Sequence, residues 1–523
     1  MTHTTDNKPE IQHLEMRGII KAFPGVLSNN NVNIELSAGE VLAILGENGA
    51  GKTTLMNILY GLYQPDAGQI LINGQPVTIS SPREAIQHGI GMVHQHFMLV
   101  PTLTVSENLA LGLPSPKGPV LDLKGVAKKI KEISEVYGLF INPDAYVWQL
   151  SVGEQQRVEI VKALYRGAKL LILDEPTSVL TPQESSDLIV LLKKMAGRGT
   201  PIILISHKLN EVMAMSDWVT VLRDGEVVAT VKTAETSPED LALKMVGREL
   251  PRCTRGTGPA TGKTVLEVKD LWAAGDMGPT ALAGISLDVK AGEILGIAGV
   301  SGNGQKELAE AISGLRKATK GQILLNGKTV TNLTPQRIIR QGLGYIPEDR
   351  IHVGTIPSFT VWENLILKDH YLPPYAKSIF LQYRRIKELC ASMMSKYGVK
   401  IPSLETLTGR LSGGNIQRVV LAREITRSPV SLVAASPTRG LDIAATQYVH
   451  SMLLEARQNG VGVLLISEDL EELLELCDRI AVIYGGRIMK VMPVEEADER
   501  MLGLLMAGVS EAKSTQEPVT RNA

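Results

Sequence analysis

Gly46-Glu47-Asn48-Gly49-Ala50-Gly51-Lys52-Thr53 decides how this chain reads. The stretch follows an apolar run, Val41–Leu45, that reads as a buried strand, and it opens a helical pattern. In that setting the glycines let consecutive backbone N–H groups curl round phosphate oxygens, and the helix N-terminus adds partial positive charge. Lys52 is expected to neutralise β- and γ-phosphates, and the Thr53 hydroxyl to ligate Mg2+. A plain Gly-rich turn is the competing reading. The full eight-residue match in this context tells against it.

Far along the chain, Leu171-Ile172-Leu173 runs into Asp174-Glu175 and then Pro176-Thr177. Parallel-sheet topology brings the ends of such strands to the edge that carries the phosphate loop. Asp174 is expected to hold the Mg2+ shell and Glu175 to polarise an attacking water as general base. A lone Asp-Glu after a strand is more often a solvated strand end. The apolar run before it and the Pro-Thr after it favour the catalytic reading.

The chain is also a duplication. Ala38-Gly39-Glu40 recurs as Ala291-Gly292-Glu293, and Gly68-Gln69-Ile70-Leu71 as Gly321-Gln322-Ile323-Leu324, both 253 residues on. Thr104-Val105 and Glu107-Asn108-Leu109 recur 256 residues on, and Leu150-Ser151 and Ser206 recur 261 residues on. An offset that grows along the chain means two homologous halves, the second carrying small insertions. The halves are read as 11–246 and 264–507, with a linker over 247–263 and a disordered polar tail over 508–523. In each half short β-branched runs alternate with helical patterns, as in a largely parallel α/β sheet. Val41–Leu45, Leu170 to Leu173 and Ile202–Ile205 read as buried parallel strands, and about 97–149 and 349–410 as inserted helical subdomains.

Composition agrees with two large domains. The 523 residues hold 54 Lys plus Arg against 55 Asp plus Glu, which argues against a nucleic-acid binder that depends on a globally basic surface and leaves room only for a local basic patch. Cys253, Cys390 and Cys477 lie far apart, which argues against a disulfide framework or a four-Cys zinc module and fits a reducing cytosol. No apolar run approaches the ~20 residues needed to cross a bilayer, and 1–10 is too polar for a secretory signal. Membrane association is therefore expected to come through a partner. His94 and His96 flank Gln95 without a carboxylate or Cys neighbour and are read as structural, not metal ligands.

One further motif points to a family. Leu150-Ser151-Val152-Gly153-Glu154-Gln155-Gln156-Arg157 precedes the carboxylate strand, and Leu411-Ser412-Gly413-Gly414-Asn415-Ile416-Gln417-Arg418 is its counterpart. Both resemble the signature motif of ATP-binding-cassette (ABC) ATPases. The resemblance covers about 11–506. It implies an α/β fold: two tandem P-loop NTPase (ABC ATPase) domains, each with a RecA-like core, a small antiparallel β subdomain and an inserted helical subdomain. It implies ATP and Mg2+ as cofactors, with Gly46, Glu47, Asn48, Gly49, Ala50, Gly51, Lys52, Thr53 and Thr54 holding nucleotide. Gln95 matches the family's Mg2+-binding, γ-phosphate-sensing glutamine, and His207 matches its γ-phosphate histidine. Phe23 is the candidate for the aromatic that stacks on adenine.

Carried forward by the same offsets, the second half has lost these groups. Gly299-Val300-Ser301-Gly302-Asn303-Gly304-Gln305-Lys306 puts Gln305 at the place of Lys52 and Lys306 at that of Thr53. Gln95 becomes Glu348, Asp174 becomes Ala435, Glu175 becomes Ser436 and His207 becomes Glu468. Glu348 and Glu468 are expected to bring unfavourable negative charge towards phosphates. The second signature keeps the family's Leu-Ser-Gly-Gly, whereas the first departs at Val152 and Glu154. In the head-to-tail pairing the family implies, Ser412, Gly413 and Gly414 complete the site of Lys52, and the losses fall together in the other site.

Fused pairs with a degenerate second half resemble the energy subunits of bacterial carbohydrate and nucleoside importers. The stretches Gly91 to Val100 and Ala434 to Asp442 look more like the nucleoside branch, with a ribose/galactose-type importer as the alternative. A soluble tandem ABC translation factor is a weaker reading, since it should show two intact sites and a long charged linker. The importer resemblance implies two transmembrane permease subunits, an external solute-binding protein, and a peripheral position on the cytoplasmic face of the inner membrane. It implies no nucleic-acid partner.

Overall fold

The computed structural model describes residues 10–95, 97–113, 118, 120–177, 180, 182–206, 208–248, 262–276, 278–399 and 401–509. The chain divides into two units at Leu250/Pro251, inside the stretch read as a linker, most of which lies outside the described residues. Cys253, the residues of the expected tail beyond 509, His96 and His207 also lie outside them.

In the first unit, the sheet order is Glu226–Lys232, Trp218–Arg223, Val41–Leu45, Ile202–Ile205, Leu170–Asp174, Ile90–Val93. All neighbours pair in parallel except the Glu226–Lys232 edge strand, which is antiparallel to Trp218–Arg223. The central strands are apolar on both faces because both faces are covered. Leu42, Ile44, Ile172 and Ile203 pack with helix Lys52–Leu59 and an antiparallel sheet built from Val26–Ser37, His13–Phe23, Ala67–Ile72 and Gln75–Val77. Leu171, Leu173, Ile202 and Leu204 pack on the other side with residues of helices Val152–Tyr165 and Pro182–Ala196.

The second unit repeats this plan. Its six-stranded sheet runs Arg487–Pro493, Arg479–Tyr484, Ile294–Ala298, Gly462–Ser467, Ser431–Ala435, Leu343–Ile346. An antiparallel sheet of Thr280–Lys290, Thr264–Ala274, Ala318–Leu325 and Lys328–Thr329 accompanies it.

The repeated sequence words are repeated structural devices. Thr104 and Thr360 each start a short helix with a capping box closed by Glu107 and Glu363. One turn later the buried amides of Asn108 and Asn364 accept from the Val100 and Ile356 N–H groups, both at 2.8 Å. The inserted segments are mainly helical in their regular structure, as expected, and each ends in a 3-10 turn, Val147–Gln149 and Thr408–Arg410. Besides these short helices they hold Leu123–Tyr137 in the first unit and Tyr383–Lys396 in the second, where a small hairpin, Ala376–Lys377 with Phe380–Leu381, is added.

Candidate active site

Strand Val41–Leu45 delivers the chain into the first phosphate loop, and Gly51 caps helix Lys52–Leu59 with φ 96°. Side chains are excluded at two of the turns: a Cβ would lie 2.4 Å from Leu222 O at Gly46 and 2.2 Å from Ser28 O at Gly51. Lys52 is buried, and its Nζ donates to Gly46 O at 2.7 Å and Glu47 O at 2.9 Å. The ammonium is thus satisfied by carbonyls of its own loop, contacts that an arriving phosphate can replace with stronger ones. Thr53 is exposed in the same helical turn. Thr54 instead accepts from Ser28 Oγ at 2.9 Å and braces the helix against the neighbouring strand.

Asp174 ends its strand buried, and Glu175 follows with φ 47°, its N–H donating to Ile205 O at 2.9 Å. Gln95, from the loop after Ile90–Val93, donates from Nε2 to Glu175 Oε2 at 2.7 Å. Burial pushes the Asp174 carboxyl up to about 6, the charge of Glu175 adds to this, and Lys52 opposes it. Lys52, Gln95, Asp174 and Glu175 therefore gather at one sheet edge. Phe23 lies at the end of its strand, partly exposed, edge-on to Tyr63 at 5.4 Å with the Lys21 ammonium 5.7 Å from its ring centre. The half-buried His94 meets Tyr60 edge-on at 5.9 Å. It lines a groove of about 210 Å³ with Met92, Met98, Glu159 and Lys162.

Hard oxygen donors from Thr53 and Asp174, with the Gln95 amide nearby, suit Mg2+ when phosphate oxygens complete its shell. A buried carboxyl resisting ionisation beside a second carboxylate is a place where a cation lowers the energy. Among the described residues no group of three or more His, Cys, Asp or Glu could hold a metal by itself, so the fit is to a metal carried with phosphates.

In the second unit the loop keeps its shape but not its charge. Gln305 Nε2 donates to Val300 O at 2.9 Å, the carbonyl matching Glu47 O, and Gln305 Oε1 accepts from Asn303 N–H at 3.1 Å. Lys306 pairs with Asp276 at 2.9 Å, and Arg316 grips the same carboxylate. Hydrogen bonds from Arg316 and then Lys306 draw Asp276 down to about 2. Asp276 sits in the turn that follows Thr264–Ala274, the counterpart of the strand ending at Phe23. Ser436 retains the left-handed backbone of Glu175, with φ 42° and its N–H on Ile466 O at 2.7 Å. One expectation needs correcting: Glu348 is ion-paired with Arg439, so its charge is compensated, whereas Glu468 is exposed.

The two signatures differ in chemistry as well as in letters. Ser151 is tied into a capping box with Glu154, and Ser151 Oγ also meets Glu184 Oε1 at 3.4 Å. Two carboxylates therefore stand at a helix N-terminus, where they repel phosphate. Helix Gly413–Thr426 has no acidic residue in its first turn, and Asn415 Nδ2 donates to Ser412 Oγ at 3.0 Å, leaving the hydroxyl proton to donate elsewhere. Both helices anchor the carboxylate-strand segment: Gln156 Nε2 reaches Pro176 O at 2.5 Å and Gln417 Nε2 reaches Pro437 O at 2.7 Å. Sequence reasoning gave no role to these glutamines, to Glu184 or to Asp276. Aligning the halves at the signature offset finds the glutamines in both copies, and finds Glu184 opposite Ala445.

Comparison with known proteins bears on the family and the fold. The ABC transporter family profile matches residues 29–178 and 282–439. The nucleoside import ATP-binding protein NupA of Lactococcus lactis is 46% identical, covering 95% of this chain and 98% of its own. The guanosine import ATP-binding protein NupO of Bacillus subtilis is 47% identical, covering 96% and 98%. The ribose import ATP-binding protein RbsA 1 of Rubrobacter xylanophilus is 41% identical, covering 95% and 98%. Among solved structures, a complex of archaeal ribosomal stalk protein aP1 with ribosome recycling factor aABCE1 matches with TM-score 0.61 and 20% identity, covering 93% of this chain and 92% of that one. That likeness speaks for the fold alone. With two cassettes in one chain, each built on the same pair of sheets, the protein belongs to the ABC transporter family and is an ATPase of that family.

Proposed function

We propose that the chain is the ATP-hydrolysing, energy-coupling subunit of a nucleoside importer, with one competent catalytic site. The observation that carries the chemistry is the 2.7 Å hydrogen bond from Gln95 Nε2 to Glu175 Oε2. It orients a carboxylate beside Lys52 and Asp174. Glu175 takes a proton from water as the water oxygen attacks the γ-phosphorus, and the bond to the β–γ bridging oxygen breaks, leaving ADP and phosphate. Lys52 leaves the Gly46 and Glu47 carbonyls to balance charge on the phosphates. Mg2+, held by Thr53 and Asp174 with Gln95, would supply further charge neutralisation. Phe23 offers the adenine a face, and His207 a γ-phosphate contact.

Ser412, Gly413 and Gly414 complete this site in the reading adopted, because their helix N-terminus carries no carboxylate and that of Ser151 carries two. The second phosphate loop, with Gln305, Ala435 and Ser436, provides neither a base nor the carboxylate for a metal. Two permease subunits take up the work, docking helices in grooves such as the one beside His94 and the counterpart near Glu348. An external solute-binding protein delivers cargo, and the chain stays peripheral on the cytoplasmic face of the membrane. No helix among the described residues is long and apolar enough to cross a membrane.

Nucleosides are favoured by the 46–47% identity to nucleoside and guanosine importers over nearly the whole chain. A sugar importer is the second reading, favoured by the 41% identity to a ribose importer. Uptake of labelled purine nucleosides and of pentoses, compared in a deletion strain with and without the gene restored, separates them. Nucleoside uptake should depend on the gene; dependence of pentose uptake alone would overturn the nucleoside assignment.

A further inference from the structure

Two differences between the units meet at one point in the second. By the offsets of the duplication, Arg350 stands where the first unit has Phe97, and Gly413 stands where it has Val152. The Arg350 guanidinium packs onto the signature turn: a Cβ on Gly413 would lie 2.9 Å from its Nη2. Its Nη1 donates to Arg439 O at 2.6 Å and its Nη2 to Gly440 O at 3.3 Å. Arg439 in turn pairs with Glu348, two residues before Arg350. Behind it, Thr355 Oγ1 donates to Arg350 O at 3.0 Å and holds the loop closed. One rigid fork thus joins the loop after Leu343–Ile346, the segment after Ser431–Ala435, and the first turn of Gly413–Thr426. A side chain on Gly413 would meet the guanidinium and one of the two would have to shift, and the first unit has Phe97 and Val152 at these places.

We propose that Arg350 is a positioning residue for the competent ATP site: it pins the Ser412-Gly413-Gly414 turn to the Glu348 loop. The signature turn is then held in one orientation and moves with that loop. This rests on the reading that the second signature completes the site of Lys52. Gly413 serves in that arrangement by leaving room for the guanidinium.

The test uses the full chain and four variants: Arg350→Ala, Arg350→Lys, Gly413→Ala and the Arg350→Ala/Gly413→Ala double. Arg350→Ala should lower kcat roughly 100-fold, the scale of an ångström-sized misplacement. The Kd of a fluorescent ATP analogue, held by the untouched Lys52 loop, should change less than about twofold. Arg350→Lys, a point charge without the two-pronged fork, should recover little of the lost rate. The double variant should be no slower than the slower single, because both changes break one contact. Multiplying losses in the double, or an unchanged kcat in Arg350→Ala, would overturn the assignment. So would a loss of rate that tracks a lowered melting temperature and weakened nucleotide binding. Ser412→Ala separates the two levels of the argument. If it leaves kcat intact, the composite-site reading fails and Arg350 with it; if it lowers kcat while Arg350→Ala does not, Arg350 alone is wrongly assigned.

Discussion

Gln95 Nε2 and Glu175 Oε2 lie 2.7 Å apart, so the loop after Ile90–Val93 holds the carboxylate proposed to activate water. In the second unit the same two positions carry Glu348 and Ser436, and Glu348 turns to Arg439 instead. The tie from loop to base is present once, in the unit that also has Lys52 and Asp174.

Removing the base without removing its shape tests this directly. Glu175→Gln should reduce ATP turnover by a factor on the order of 10² to 10⁴ while nucleotide binding persists. Ser436→Ala should leave steady-state turnover within about twofold. Equal losses in the two variants would contradict a single hydrolytic site.

Asp174 should make the nucleotide-free protein less stable at neutral pH than its amide. Its carboxyl is raised from 3.8 to about 6, mainly by burial. A raised acid supports the fold while protonated, so its contribution is complete below about pH 4 and is lost as pH rises through 6. Asp174→Asn should therefore melt with wild type near pH 4 and above it at pH 7.5, by a margin equivalent to about 3 kcal/mol. It should also fail to turn over ATP. Coincident melting curves across that range would refute the account.

Much of this site could be read from the chain because phosphate loops are local. Eight consecutive residues place Lys52 and Thr53 at a helix start, and the strand carrying Asp174-Glu175 announces itself by its apolar run. The duplication was legible because its repeated words encode turns and caps, such as Thr104 with Glu107 and Thr360 with Glu363. Long-range compensation was not legible. Nothing near Glu348 in sequence signals that Arg439 neutralises it, and nothing near Lys306 points to Asp276. Such pairs depend on which loops the sheets bring together, and a lone charge in a sequence looks the same whether partnered or not. The Arg350–Gly413 contact is a further case, since a missing side chain carries no pattern of its own.

A second pH dependence should appear in the alkaline range. Burial disfavours charge on His450, but Glu472 at 3.1 Å and Glu475 at 3.6 Å outweigh it and lift the imidazole to about 9. Glu472 also accepts from Thr438 Oγ1 at 2.8 Å, so the protonated ring helps fix the segment after Ser431–Ala435. Its contribution is full below about pH 6.5 and is lost as pH rises through 9, amounting to about 3 kcal/mol. Denaturant midpoints should fall between pH 6 and pH 9.5 in the wild type, and His450→Gln should flatten that decline. An equally steep decline in the variant would count against the role given to His450.

Ser436 keeps the backbone bend of Glu175. Glu175 adopts φ 47° where its carboxylate is wanted, and Ser436 adopts φ 42° with no comparable duty. A non-glycine residue in this region is held at some energetic disadvantage, so the surrounding strands, not the chemistry, impose the contour. In the proposed single-site reading, the second cassette has kept its mould without the tool it was cast for. Anyone wishing to turn this lopsided motor into a symmetric one could therefore begin with side chains and leave the backbone alone.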